Sequence, residues 1–133
     1  MTARPLVTGL MASPRREGNS ALLLRAALHA ARDAGAVVES IVLDDLVIAP
    51  CRACVNAPRD GSCLVTDGLQ QVSALLDRST GIILASPLYF GSITAQAKLL
   101  IDRQQCRWAA RMLHHTLPDT RDKRALFLCP AAT

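Results

Sequence analysis

The run from Gly81 to Ser86, GIILAS, is apolar almost throughout and lies between two segments with helical periodicity. A strand that shows no polar face must be covered on both sides, and a parallel sheet with helices on each face covers its strands in this way. Three more short apolar runs follow the same rule: Leu6 to Met11, Val37 to Leu43 with its β-branched residues, and Ala125 to Cys129. Amphipathic segments separate them. Ser20 to Ala34 sets Leu23, Ala27, Ala30 and Ala34 on one face and Arg25, His29 and Arg32 on another, and Gly35 supplies the left-handed stop that helices favour. Asp67 is placed to cap a helix running to Asp77, with Leu69, Val72 and Leu76 inward. A third helix is expected from Thr94 to Met112, with Ala97, Leu100 or Ile101, and Trp108 facing in. The order βαβαβαβ implies parallel strands joined by right-handed crossovers, a doubly wound α/β sheet. Such sheets bind their ligands beyond the carboxyl ends of the strands, near the switch in strand order.

A chain of 133 residues, half of them hydrophobic, can bury one core and is too short for two ordinary domains, so residues 1–133 read as a single domain. No run approaches the roughly 20 apolar residues that span a bilayer, and the apolar segment before Pro14 is too short for a secretory signal, which points to the cytoplasm. The formal charge of +4 is scattered among acidic residues, and only Thr120 to Arg124 is locally basic. Tyr89, Phe90, Trp108 and Phe127 are the whole aromatic set. A nucleic-acid partner is therefore not expected, whereas a phosphate-bearing cofactor or an acidic electron donor suits the charge.

Two loops fall at the expected ligand-binding end. The first, Met11 to Leu22 (MASPRREGNSAL), combines small residues that let the backbone turn, Ala12, Ser13 and Gly18, with the cations Arg15 and Arg16 and the donors Asn19 and Ser20. Free amides at a helix start favour an anion, so the loop reads as a phosphate cradle. It reads equally as a plain strand-to-helix turn capped by Asn19 or Ser20, with two solvated arginines. The second loop, PLYFGSIT, holds two of the four aromatics side by side, Tyr89 and Phe90, with Pro87, Leu88, Gly91 and Ser92 around them. They suit a planar heteroaromatic ring, or a core or subunit contact. A phosphate cradle and a ring platform on neighbouring loops together describe a nucleotide or a flavin.

At these residues the chain resembles a known family. ASPRREGNSALL is similar to the phosphate loop of the NADPH-dependent FMN reductase and iron-sulfur flavoprotein group, with Ala12 where relatives often have glycine. DLVIAPCRACVNAPRDGSCLVTD, Asp45 to Asp67, resembles that group's cysteine segment, and SPLYFGSITAQAKLLIDR its second flavin loop and following helix. The resemblance implies a flavodoxin-like sheet of strand order 2-1-3-4, noncovalently held FMN, and a homodimer or homotetramer. Carried over by position, Ser13, Arg15, Asn19 and Ser20 would hold the FMN phosphate. Pro87, Leu88, Tyr89, Phe90 and Gly91 would line the ribityl chain and isoalloxazine. The implied activity is that of an FMN-binding oxidoreductase taking electrons from NAD(P)H or a small redox protein. No catalytic acid or base is expected, since the flavin carries the chemistry. G-x-G-x-x-G is absent, so a nicotinamide donor would stack directly on the flavin. A noncatalytic electron carrier and a flavin-free interaction module are the alternatives.

Cys51, Cys54 and Cys63 share one loop, which in a cytosolic chain suggests metal or redox use before a disulfide. Cluster-bearing relatives have a further cysteine three residues after the second, where this chain has Ala57. Cys106 and Cys129 belong to elements expected to lie elsewhere, so an iron-sulfur cluster is not expected. A zinc ion on three thiolates plus an outside ligand, a redox Cys51–Cys54 pair, and cysteines packed as small hydrophobes are the remaining readings, the last preferred. His114 and His115 are expected to close the third helix, and Lys98 with Asp102 to form a surface pair. The sequence stops just after the fourth strand, so no fifth strand is expected, and the fourth would be an exposed edge. A third flavin loop would fall at Pro130 to Thr133.

Overall fold

The computed structural model describes residues 3–117 and 122–131. Strands β1 (Leu6–Met11), β2 (Val37–Val42), β3 (Gly81–Ala85) and β4 (Arg124–Leu128) form one parallel sheet in the order β2-β1-β3-β4. Helices α1 (Asn19–Asp33), α2 (Leu69–Arg78), α3 (Ala95–Asp102) and α4 (Gln105–Met112), with a single 3-10 turn at Leu43–Asp45 after β2, complete the described elements. This is the flavodoxin-like order expected, with its switch between β1 and β3.

The alternation of side chains sorts the core into two layers. Leu10 and Ala12 pack with Leu43, Ile48, Leu69, Val72, Ala97 and Leu100, joined by Ile82 and Leu84 of β3. Met11 packs on the opposite face with Ile83 and Ala85 of β3 and with Ala21 and Leu24 of α1. The apolar run GIILAS is thus covered on both sides. Gly9 explains how closely α1 approaches: a Cβ there would stand 2.7 Å from Cδ1 of Leu28.

Three details differ from the sequence reading. The inward face of α1 is Ala21 and Leu24, with Ala27 and Leu28 partly buried, while Leu23, Ala30 and Ala34 are exposed. An alanine-rich helix offers several weak stripes, and the leucine nearest Gly9 decides among them. The expected helix from Thr94 to Met112 is two helices, because Arg103 turns inward at the end of α3 and is 1% exposed. Trp108 is 54% exposed rather than inward, and Ile101 is exposed while Leu100 is buried.

Other expectations match. Asp67 accepts from the Leu69 amide at 2.9 Å, and its own amide donates to Oε1 of Gln70 at 2.8 Å, a reciprocal cap that starts α2. Lys98 pairs with Asp102 at 2.5 Å. His114 follows the end of α4 and donates its amide to the Ala109 carbonyl at 3.1 Å. Of the basic stretch Thr120 to Arg124, Thr120 and Arg121 lie outside the described residues. Lys123 donates to the Leu76 and Asp77 carbonyls at 2.5 and 2.9 Å, where a cation complements a helix C-terminus. Among the described residues no helix is long and apolar enough to cross a membrane. β4 is an edge strand with Leu126 and Phe127 both 49% exposed.

Candidate functional site

The loops after β1 and β3 and the segment after β4 meet in one cleft of about 280 Å³. It is lined by Ser13, Arg15, Gly18, Asn19 and Ser20 from the first loop, by Pro87, Leu88 and Tyr89 from the second, and by Pro130 and Ala131. Backbone pairing holds the three together: the Ala12 amide donates to the Ala85 carbonyl at 2.8 Å, Ser86 to Leu128 at 3.0 Å, and Leu88 to Pro130 at 3.3 Å. Thr94 adds a buried tie, donating its hydroxyl to the Ala12 carbonyl at 2.7 Å while its amide donates to Oγ of Ser86 at 3.1 Å. Neither Thr94 nor Ser86 was expected to take part, because their roles rest on partners far away in sequence.

The start of α1 bears on both readings of the first loop. Its cap is Gly18, with no side-chain hydrogen bond, so neither Asn19 nor Ser20 closes the helix end. The first-turn amides are left for another acceptor, as an anion site requires. Ser13, only 3% exposed, accepts the Arg15 amide at 3.1 Å and so shapes the turn. A Cβ on Gly18 would stand 3.2 Å from Cβ of Arg15, so the glycine permits a tight approach. Arg15 is exposed and forms no ion pair among the described residues.

Three expected residues do not line the cleft. Arg16 turns to the other side of the loop and pairs with Asp45, which raises the arginine's pKa and lowers that of the carboxylate. Phe90 and Gly91 form the tip of a tight hairpin in which Tyr89 and Ser92 exchange amide hydrogen bonds of 2.8 and 3.0 Å. Their φ angles of 49° and 76° are those of a type I′ turn. Phe90 is fully exposed there.

A second cavity of about 250 Å³ lies beside the cysteine loop and is lined by Cys51, Cys54, Ala57, Cys63, Arg103 and Cys106, among others. Cys106 is therefore not elsewhere, as the sequence suggested: the break after α3 sets α4 so that its first turn joins the loop. The Cys106 thiol is pushed up by burial and by the nearby Cys63 sulfur. Cys63 is half-buried and packs against the core as the preferred reading of small hydrophobic cysteines expects, whereas Cys51 is exposed and Cys54 half-buried, so that reading does not describe Cys51. Among the described residues no three His, Cys, Asp or Glu side chains already converge on one point as ligands of a single ion.

Arg103 ties this loop down. It donates to Oδ2 of Asp67 at 2.8 Å, to the Ala49 and Val65 carbonyls at 2.7 and 3.0 Å, and to Sγ of Cys63 at 3.3 Å. Burial alone would raise the Asp67 pKa; hydrogen bonds from Arg103, Ala49 and Leu69 and the arginine's charge outweigh it and bring it down to about 2. Sequence reasoning missed Arg103, although its spacing three residues after Leu100 carries a charge onto the inward face.

The fold is that of a flavodoxin-like α/β protein, with a cleft at the β1/β3 switch. The profile of the NADPH-dependent FMN reductase family matches residues 5–129, and the chain belongs to that family. An iron-sulfur flavoprotein of Methanocaldococcus jannaschii is 40% identical over 74% of this chain and 51% of its own length. Iron-sulfur flavoproteins of Archaeoglobus fulgidus and Methanosarcina thermophila are 36% and 32% identical, over 71% and 73% of this chain and 43% and 51% of theirs. The chain thus spans about half the length of the curated relatives it matches. Among solved structures, an NAD(P)H:quinone oxidoreductase from Methanothermobacter marburgensis superposes with a TM-score of 0.73 at 21% identity, over 97% of this chain and 68% of that one. A flavone reductase gives 0.70 at 20% identity, over 96% and 44%. These two likenesses concern the fold.

Proposed function

We propose that the chain binds FMN in the cleft between the β1 and β3 loops and works as an oxidoreductase supplied with electrons by NAD(P)H or a small redox protein. The observation that carries this reading is the uncapped start of α1 opening into a cleft that also holds Arg15, Ser13 and Tyr89. In it, the α1 amides, Ser13, Arg15, Asn19 and Ser20 take the phosphate, and Pro87, Leu88 and Tyr89 wall the ribityl chain and ring. Phe90 and Gly91 belong to this reading as a cover on the ring side rather than as lining, and Arg16 drops out of it. A dianion needs preorganised donors and the ring a largely dry wall, and these two parts of the cleft differ accordingly. When bound, FMN supplies the redox chemistry, accepting a hydride or single electrons. The side chains bind, orient and exclude water; none is assigned an obligatory acid or base role. A homodimer or homotetramer belongs to the same reading, supported by the exposed apolar side chains of β4.

Titration of the full chain with FMN, followed by flavin fluorescence, tests the site. Saturation at one FMN per chain is expected, and R15A should weaken binding by about tenfold to a hundredfold, the range for a hydrogen bond to a charged group. An unchanged affinity in R15A would place the phosphate elsewhere. Steady-state NADPH oxidation by the loaded protein then separates an enzyme from a passive carrier.

A further inference from the structure

We propose that Cys106 of α4 joins Cys51, Cys54 and Cys63 as the fourth thiolate of a site for a four-iron iron-sulfur cluster, making up for the cysteine that the loop lacks at Ala57. All four sulfur-bearing side chains line one cavity of about 250 Å³, and Ala57 lines it too. The loop alone offers three thiolates, and the first turn of α4 adds Cys106 to the same lining, beside Cys63. This inference does not depend on the flavin reading, since the cavity shares no lining residue with the cleft.

A cluster and a single ion place different demands on four thiolates. Zinc holds its four sulfurs at about 2.3 Å, hence roughly 3.8 Å from one another. No three candidate ligands converge in that way among the described residues. A four-iron cluster distributes its thiolates over separate metal atoms, one per iron, and so needs sulfurs spread round a cavity.

The surroundings also suit an anionic, sulfur-rich group. The Ala53 amide donates to Sγ of Cys51 at 3.5 Å, aided by a left-handed φ of 48° at Ala53, and Arg103 donates to Sγ of Cys63 at 3.3 Å. Hydrogen bonds to ligating sulfur hold the ligand and tune the cluster. Arg103 lines the cavity, is 1% exposed, and carries a buried Nε with no hydrogen-bond partner. A buried N–H without an acceptor is costly, and a cluster sulfide is an acceptor of the right kind.

Loading from a preformed four-iron cluster carried by four small-molecule thiolates needs no oxidant or reductant. At each iron the bond to the carrier thiolate breaks, an iron–sulfur bond to a protein cysteine forms, and the cysteine's proton leaves on the released thiol. The full chain, without added flavin, is incubated anaerobically with a synthetic [4Fe–4S] cluster bearing mercaptoethanol thiolates, then desalted. Iron and sulfide are assayed with the visible spectrum. The wild type is expected to retain about four irons and four sulfides per chain, as a cluster of this type contains. C106A should lose most of both, and A57C in the C106A background should recover them. FMN titration of C106A, unchanged from wild type, shows that the chain is folded and keeps the flavin reading separate. Full cluster retention by C106A, or no uptake by the wild type, overturns the proposal.

Discussion

At the scale of single residues, the Asp67–Arg103 pair does what neither partner could do alone. Arg103 is buried, and a buried charge is tolerated only when paired and hydrogen-bonded. Asp67 supplies the pairing and also receives the Ala49 and Leu69 amides, so one carboxylate holds α3, the start of α2 and the cysteine loop. Its pKa of about 2 lies below the ordinary 3.8. Because the folded value is the lower one, the stabilisation is complete above pH 4 and is lost as the pH falls through 2. A shift of this size corresponds to about 2 kcal/mol. Urea midpoints measured between pH 5 and pH 2 should therefore fall more steeply for the wild type than for D67N. The variant itself should be less stable at pH 7 by roughly 3 kcal/mol, having left Arg103 without its counter-charge. Equal acid slopes in both proteins would show that another carboxylate governs the window.

Among the elements, the hairpin after β3 is one whose local chemistry contradicts its conformation. Type I′ turns favour Asn-Gly, and here the first position is Phe90 with a φ of 49°. A bulky residue in the left-handed region costs on the order of 1 kcal/mol, and full exposure gives Phe90 no packing to offset it. This strain lies beside the cleft proposed to hold FMN. Replacing Phe90 with Asn should raise stability by roughly 0.5–1 kcal/mol in urea unfolding while weakening FMN binding. Higher stability with unchanged FMN affinity would assign the strain to something other than the flavin. The turn also shows where sequence reading succeeds and stops. The strands were legible because length and apolar content are local, and so was the placing of the first loop at the carboxyl end of the sheet, where it lines the cleft. The break at Arg103 was not, since it depends on Asp67, 36 residues away. Cys106 was misplaced for the same reason: without the break, α4 would continue along α3. The face of α1 was misread because its choice rests on the Gly9–Leu28 contact with β1, which no periodicity within the helix reveals.

For the molecule as a whole, the strand order brings three chain segments to one end of the sheet and leaves the resulting cleft unevenly closed. In the proposed FMN site the phosphate end is built on β1 and α1, where Ser13 and Ser20 are both 3% exposed. The ring end rests on Leu88 and Tyr89, 44% and 43% exposed, beside the exposed tip of the hairpin. A cleft of about 280 Å³ is also near the lower limit of sites that enclose ligands of this class, roughly 300–1,000 Å³. Affinity should then come chiefly from the phosphate. Riboflavin, which lacks it, is expected to bind at least about tenfold more weakly than FMN, because the charge-assisted hydrogen bonds at the α1 end go unused. FMN itself should be lost during prolonged dialysis, leaving a colourless chain that regains a flavin spectrum when FMN is returned. Equal affinities for riboflavin and FMN would move the main recognition to the ring, and stoichiometric yellow colour after dialysis would mean that the ring end is closed by a further surface, such as a second copy of the chain. Measuring FMN loss across a range of protein concentrations separates those outcomes, since closure by a second copy makes retention rise with concentration and closure within one chain does not.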